Sequence, residues 1–134
     1  MKLQVGVKVL IKNSDNKYLL LQRASIMDNE AEAHWDIPGG RIEPEEPLLE
    51  ALAREISEET GLALTSTPHL LGAQDIFVSA KELHVVRLTY VADGDGEAVM
   101  SHEHQNTKWA SLDEALDINL DPYLREILSQ QKNT

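Results

Sequence analysis

Three glutamates, Glu55, Glu58 and Glu59, stand at i, i+3 and i+4 in the run Arg54-Glu55-Ile56-Ser57-Glu58-Glu59. On an α-helix that spacing brings their carboxylates together on one side. Like charges so placed destabilise a helix by roughly 0.2–0.5 kcal/mol per pair. Near a C-terminal end they also oppose the helix macrodipole. A chain that keeps such a cluster either leaves it in water or neutralises it with cations. Convergent carboxylate oxygens are what a hard divalent cation such as Mg2+ requires, above all where substrate phosphates complete its shell. The chemistry this suggests is metal-assisted phosphoryl transfer, with a carboxylate taking the proton from an attacking water.

The acids need a helix, and the surrounding sequence supplies one. Pro47 suits a first helical position, where a missing N–H costs nothing, and Gly61 suits the left-handed residue that closes a helix. Between them, Leu48, Leu49, Leu52, Ala53 and Ile56 form an apolar arc that the three glutamates border. Ahead lies Gly39-Gly40, a pair that permits close backbone approach to a ligand, followed by Arg41 and the acidic loop Ile42-Glu43-Pro44-Glu45-Glu46. Arg41 is placed to meet a substrate phosphate.

Strands should carry this unit. Gln4 to Ile11 alternates in the manner of a strand, Asn13-Ser14-Asp15-Asn16 is a turn cluster, and Lys17 to Arg23 is a second strand, predicting a hairpin. Ala24 to His34 is polar and irregular, and Trp35 to Pro38 is a short extended delivery into the glycines. Beyond the helix, Leu64 to Pro68 reads as a connector. Leu70 to Val78 and Glu82 to Val91 are β-prone, Thr107 to Ala110 is a short strand, and Ser111 to Leu116 is a helical turn. Asp121-Pro122 opens a last helix that buries Leu124, Ile127 and Leu128. Asp93-Gly94-Asp95-Gly96-Glu97 resembles the start of a calcium loop but lacks the closing glutamate, so a flexible turn is expected.

Three further residues have two readings each. Arg23, at a strand end, can face a phosphate or pair with one of many acids. Trp35 can stack on a base or pack beside its loop. Arg87 is a charge in an apolar row, directed into a ligand cavity or placed at a sheet edge.

Composition narrows the class. The 134 residues suffice for one domain with its own core, and the chain has no cysteine, which excludes disulfides and thiolate chemistry. A net charge of −11 repels nucleic-acid backbones and speaks against duplex binding. No apolar run approaches a bilayer span and no signal-peptide pattern opens the chain, so a cytoplasmic location is expected.

Gly40, five residues, Glu46, seven residues, then Arg54 through Leu62 resembles the Nudix box, with every fixed position filled. The resemblance extends over nearly the whole chain, residues 1–134 as a single domain with the box at 40–62. It implies a Nudix-type α/β/α sandwich, a mixed β-sheet between helices. It implies hydrolysis of a nucleoside diphosphate linked to another moiety, with Mg2+ as cofactor and Mn2+ as a substitute. Carried over by position, Glu55, Glu58 and Glu59 hold metal with help from the Gly39 carbonyl, and Glu46 and Arg54 orient the box through an ion pair. Glu103 precedes Trp109-Ala110-Ser111-Leu112-Asp113-Glu114-Ala115, a tail similar to that of many Nudix enzymes, where a loop glutamate reaches the metal or acts as base. The base is then Glu103 or a box glutamate, and His102 and His104 flank it.

The substrate is a small nucleotide, and the reading leans to a nucleoside triphosphate, including oxidised forms. ADP-ribose, nucleotide sugars and dinucleoside polyphosphates are the enzymatic alternatives. A non-catalytic nucleotide-binding module and an acidic interaction domain are the non-enzymatic ones. The molecule is expected to be a monomer or a homodimer.

Overall fold

In the computed structural model, residues 1–23, 34–99 and 104–132 are described, the side chains of Arg23, His104 and Gln105 aside. Glu103 and the irregular segment at 24–33 lie outside the described residues. The elements run β1 (Lys2–Lys12), β2 (Tyr18–Arg23), β3 (Trp35–Asp36), β4 (Gly39–Arg41), α1 (Leu48–Thr60), β5 (His69–Val78), β6 (Leu83–Asp93), β7 (His104–Ala110), α2 (Leu112–Leu116) and α3 (Pro122–Lys132). A 3-10 turn at Ser79–Lys81 joins β5 to β6.

The strands form one mixed sheet in the order β3-β2-β1-β6-β5, with β4 added to β1 and β7 added to β2. β1 and β6 run parallel along their whole length, from Lys2 opposite Leu83 to Lys12 opposite Asp93. The expected β1–β2 hairpin exists at its turn, where the Asn13 side chain accepts from the Asp15 and Lys17 amides. Its ladder, however, is confined to Lys12 opposite Tyr18. The two strands then part: β1 takes β4, with Lys8 opposite Gly39, and β2 takes β3 and β7. This splay brings the glycine pair against the middle of β1.

Side chains alternate between two cores, as a period-2 strand requires. Val7, Val9, Ile11, Leu19 and Leu21 pack with Ala51, Leu52 and Ile56 of α1 on one face. Leu10, Leu20 and Ile37 pack with Leu120, Leu124 and Leu128 of the α3 region on the other. Burial on both faces is confined to the stretches Val9-Leu10-Ile11 and Leu19-Leu20-Leu21, where each strand is continuously apolar. The result is the α/β/α sandwich. Among the described residues no helix is long and apolar enough to cross a membrane.

Helix α1 differs from expectation in two ways. Pro47 is not the first helical residue but precedes it, in an extended conformation at φ −63° and ψ 148°. The buried face is Ala51, Leu52, Ile56 and Thr60, while Leu48, Leu49 and Ala53 are exposed. At about 100° per residue, Glu55 and Glu59 project between Ala51 and Leu52, inside the face turned to the sheet. Leu48 and Leu49 share the angular range of the buried residues but are exposed in the first turn, whereas Thr60 is buried with its hydroxyl donating to the Ile56 carbonyl at 2.7 Å. Gly61 closes the helix as expected, at φ 71° with its N–H on the Ser57 carbonyl.

Ahead of α1, Glu45 holds a left-handed backbone at φ 67° with its side chain exposed. For a residue with a Cβ that conformation costs about 1–2 kcal/mol, more than the roughly 0.5–1 kcal/mol of backbone entropy a glycine would lose. Glu45→Gly is therefore expected to raise unfolding stability by about 0.5–1 kcal/mol in a urea titration. A loss of stability would contradict the assignment of strain to this residue.

Candidate functional site

The acidic helix and the glycine strand meet at close range. A Cβ on Gly40 would lie 2.5 Å from the Glu55 carboxyl carbon, so only glycine leaves the carboxylate its place against the β4 backbone. Gly39 adopts φ 147°, and a side chain there would run into the Val7 carbonyl and Lys8. Its N–H instead donates to Glu59 Oε2 at 3.2 Å, which brings the Gly39 peptide and the Glu59 carboxylate together. Glu55 is nearly buried, its side chain 14% exposed, while Glu58 at 59% faces water.

Arg54 ties this edge together. Its Nε and Nη2 donate to the two Glu46 oxygens at 2.8 and 3.0 Å, and Nη2 also reaches the Arg41 carbonyl at 3.2 Å. Nη1 donates to Glu55 Oε1 at 3.0 Å and lies 3.4 Å from Glu58 Oε2. Glu46 in turn accepts from the Glu43 amide at 2.9 Å, folding the acidic loop back on itself. The Arg54 bond first, and the Glu43 amide second, hold the Glu46 carboxyl down at about 2, well below its ordinary value. The same Glu46 bond pushes the Arg54 guanidinium upward, so the pair stays ionised. The expected orienting pair is thus a two-bond fork, the strong geometry for such a contact.

Among the described residues, no three acids or histidines are yet gathered around a common point. Bare carboxylates repel, and here the Arg54 guanidinium shares out two of them. The donor types nonetheless suit a hard cation: carboxylates of Glu55, Glu58 and Glu59 from one helix edge, beside the Gly39 carbonyl.

The opposite face of the sheet holds a second charged cluster that the sequence reading only touched. Arg87 is not at a sheet edge. Its strand β6 lies between β1 and β5, and the residue is 5% exposed. It grips Asp36 with both terminal nitrogens, at 2.8 and 3.2 Å, and stands 3.4 Å from Asp121 Oδ2. Lys8 adds a second cation 3.5 Å from Asp36 and donates to the Ile37 carbonyl at 3.2 Å. Asp121 caps α3 as expected, accepting from the Tyr123 and Leu124 amides at 3.0 Å. Burial pushes the Asp36 carboxyl up, but Lys8 and Arg87 outweigh it and bring it from 3.8 down to about 2. Arg87 Nε and Thr89 Oγ1, on this same face, are buried and have no hydrogen-bond partner among the described residues. The missed signals were Lys8, a cation at the opposite phase of an apolar strand, and Asp36, an acid between two apolar residues.

Trp35 is half-buried against the second core, with Lys108 Nζ 5.5 Å from its ring centre. Arg41 is exposed beside the box, its backbone paired with Gly6. Arg23 ends β2, opposite His104, with its side chain outside the described residues.

The family model for the NUDIX domain matches residues 2–131. The CTP pyrophosphohydrolase of Escherichia coli is 35% identical over 118 residues, which cover 88% of this chain and 84% of that protein. The asymmetrical bis(5'-nucleosyl)-tetraphosphatase of Rattus norvegicus is 34% identical over 112 residues, 81% of this chain and 73% of that protein. The crystal structure of a MutT protein from Methanosarcina mazei superposes with a TM-score of 0.83 at 28% identity, covering 98% of this chain and 96% of that one.

The Asp36 cluster gives a pH signature. Its folded carboxyl titrates below the unfolded value of 3.8, so its contribution is complete above about pH 4 and disappears as pH falls through about 2. The contribution at neutral pH is roughly 2 kcal/mol. Asp36→Asn should lower stability at pH 7 and flatten the loss between pH 4 and pH 2 in acid-unfolding curves; Glu46 supplies the slope that remains. A slope as steep as wild type in the variant would contradict this assignment.

Proposed function

This chain belongs to the NUDIX family of hydrolases, and on that premise we propose that it is a Mg2+-dependent pyrophosphohydrolase of nucleoside triphosphates. The observation that carries the reading is the seat of Glu55 against Gly40, with Glu58 and Glu59 along the same helix edge. Acids meant only for solubility would point away from the sheet, whereas Glu55 and Glu59 are turned toward a backbone kept bare by two glycines. With every fixed position of the box filled, a binding-only module is the poorer account.

Glu55, Glu58 and Glu59 would hold the metal with the Gly39 carbonyl. When bound, Mg2+, or Mn2+ in its place, supplies charge that neutralises pyrophosphate oxygens and acidifies water. The remaining work belongs to the chain. Glu46 fixes Arg54, and without metal Arg54 holds one oxygen of the Glu55 carboxylate. Arg41, exposed at the mouth of the box, is placed to bind a phosphate of the substrate, and Arg23 at the end of β2 is the second candidate. Arg87 is already committed to Asp36 and Asp121, so it is not assigned to phosphate. A water set for in-line attack gives its proton to Glu58, the most exposed of the three acids, or to Glu103.

The lean to nucleoside triphosphates follows the Escherichia coli relative, whose name specifies CTP. The second reading, a dinucleoside polyphosphate, follows the rat relative. A panel of nucleoside triphosphates, dinucleoside tetraphosphates and ADP-ribose, with product identification in 18O-labelled water, decides between them and shows which phosphorus is attacked. Glu58→Gln should lower the Mg2+-dependent rate at least about tenfold, or about 1.4 kcal/mol of barrier. An unchanged rate would pass the proton to Glu103, and Glu103→Gln tests that directly. Absence of metal-dependent hydrolysis across the panel would overturn the enzyme reading.

A further inference from the structure

Arg54 uses every N–H that a guanidinium owns. The Nε and Nη2 side is committed to Glu46 and to the Arg41 carbonyl, at 2.8 to 3.2 Å. The Nη1 side faces Glu55 at 3.0 Å and Glu58 at 3.4 Å. Two of the three carboxylates assigned above to the metal are therefore already turned to a cation that the chain itself provides. We infer that Arg54 is a built-in competitor for the divalent cation, holding Glu55 and Glu58 until the metal enters and giving them up when it does. The inference rests on the metal-site reading of the box.

The geometry gives the exchange a direction. The Glu46 fork has two short bonds and is braced from behind by the Glu43 amide, so it keeps the guanidinium in place. The Glu58 contact is long and its side chain mostly exposed, so it is the weaker hold. Glu55 shares a single hydrogen bond with Nη1 and needs no rotation of the helix to turn away from it. A dication concentrates more charge on these oxygens than a delocalised guanidinium does, and so it wins them. The guanidinium nevertheless remains close by, pinned by Glu46, and its charge opposes the incoming one. Arg54 thus steadies the box without metal and weakens the grip on metal.

The opposing idea is that Arg54 preorganises the carboxylates for the cation, and the two ideas predict opposite signs. Titration calorimetry with MgCl2 in the absence of nucleotide separates them. Arg54→Gln should bind Mg2+ roughly three- to tenfold tighter, its metal-free thermal midpoint should fall, and added Mg2+ should raise that midpoint by more than in wild type. Glu46→Gln keeps the guanidinium but loosens its fork, letting it settle further onto Glu55 and Glu58, and should bind Mg2+ more weakly than wild type. A merely structural role would weaken binding in both variants. Weaker or unchanged binding by Arg54→Gln overturns the inference, and if that variant fails to fold, tighter binding by Glu46→Gln does the same. If wild type shows no Mg2+ binding that Glu55→Gln abolishes, the metal-site reading itself fails, and the inference with it.

Discussion

Strand β4 can lie against β1, and the Glu55 carboxylate against β4, only because Gly39 and Gly40 have no side chains. A Cβ at either position would collide, with β1 in the first case and with the Glu55 carboxylate in the second. Beneath the helix Leu52 and Ile56 reach the core, and Glu55 and Glu59 lie inward beside them. Placing carboxylates on a helix face that packs on a sheet is costly unless each finds a partner. The Gly39 N–H serves Glu59, and Arg54 serves Glu55. The glycines are thus a condition for the packing as well as for any ligand that approaches the backbone.

The sheet carries two clusters of mixed charge, and their construction differs. On the α3 face, Lys8, Asp36, Arg87 and Asp121 form a largely buried set of two cations and two acids, tied into β1, β3, β6 and the cap of α3. Breaking one member strands a charge in a dry place. On the α1 edge the acids outnumber the cation, and one of them faces water. That imbalance leaves room for positive charge, while the balanced cluster leaves none. Burial and stoichiometry together therefore separate a structural network from a candidate site, although both are made from the same residue types.

Much of this was legible in the residues before the fold was known. The helix, its glycine stop, the alternating strands and the Asp121 cap depend on local backbone preference and side-chain period, which need no distant partner. The box spacing, too, is a local fact, because one helix and the loop before it carry nearly all of it. What local reading misplaces is burial and partnership. Leu48 and Leu49 lie on the buried side of α1 by angle yet are exposed in its first turn, and Thr60 takes a buried place with its hydroxyl bonded to its own helix. The hairpin between β1 and β2 was read as a ladder, yet each strand has other partners that only closure of the sheet provides.

The same division applies to the site. By itself the sequence determined which acids belong together, since Glu55, Glu58 and Glu59 share one helix and Arg54 lies within about a turn of Glu55 and Glu58. It could not determine that Arg87 is taken by Asp36, which lies on a distant part of the chain, or that Lys8 joins them from β1. Nor could it show that Lys108 stands over the Trp35 ring. Spacing along a helix fixes which side chains are neighbours, because the helix is its own ruler. Pairing across a sheet depends on which strands lie side by side, and only the folded chain decides that.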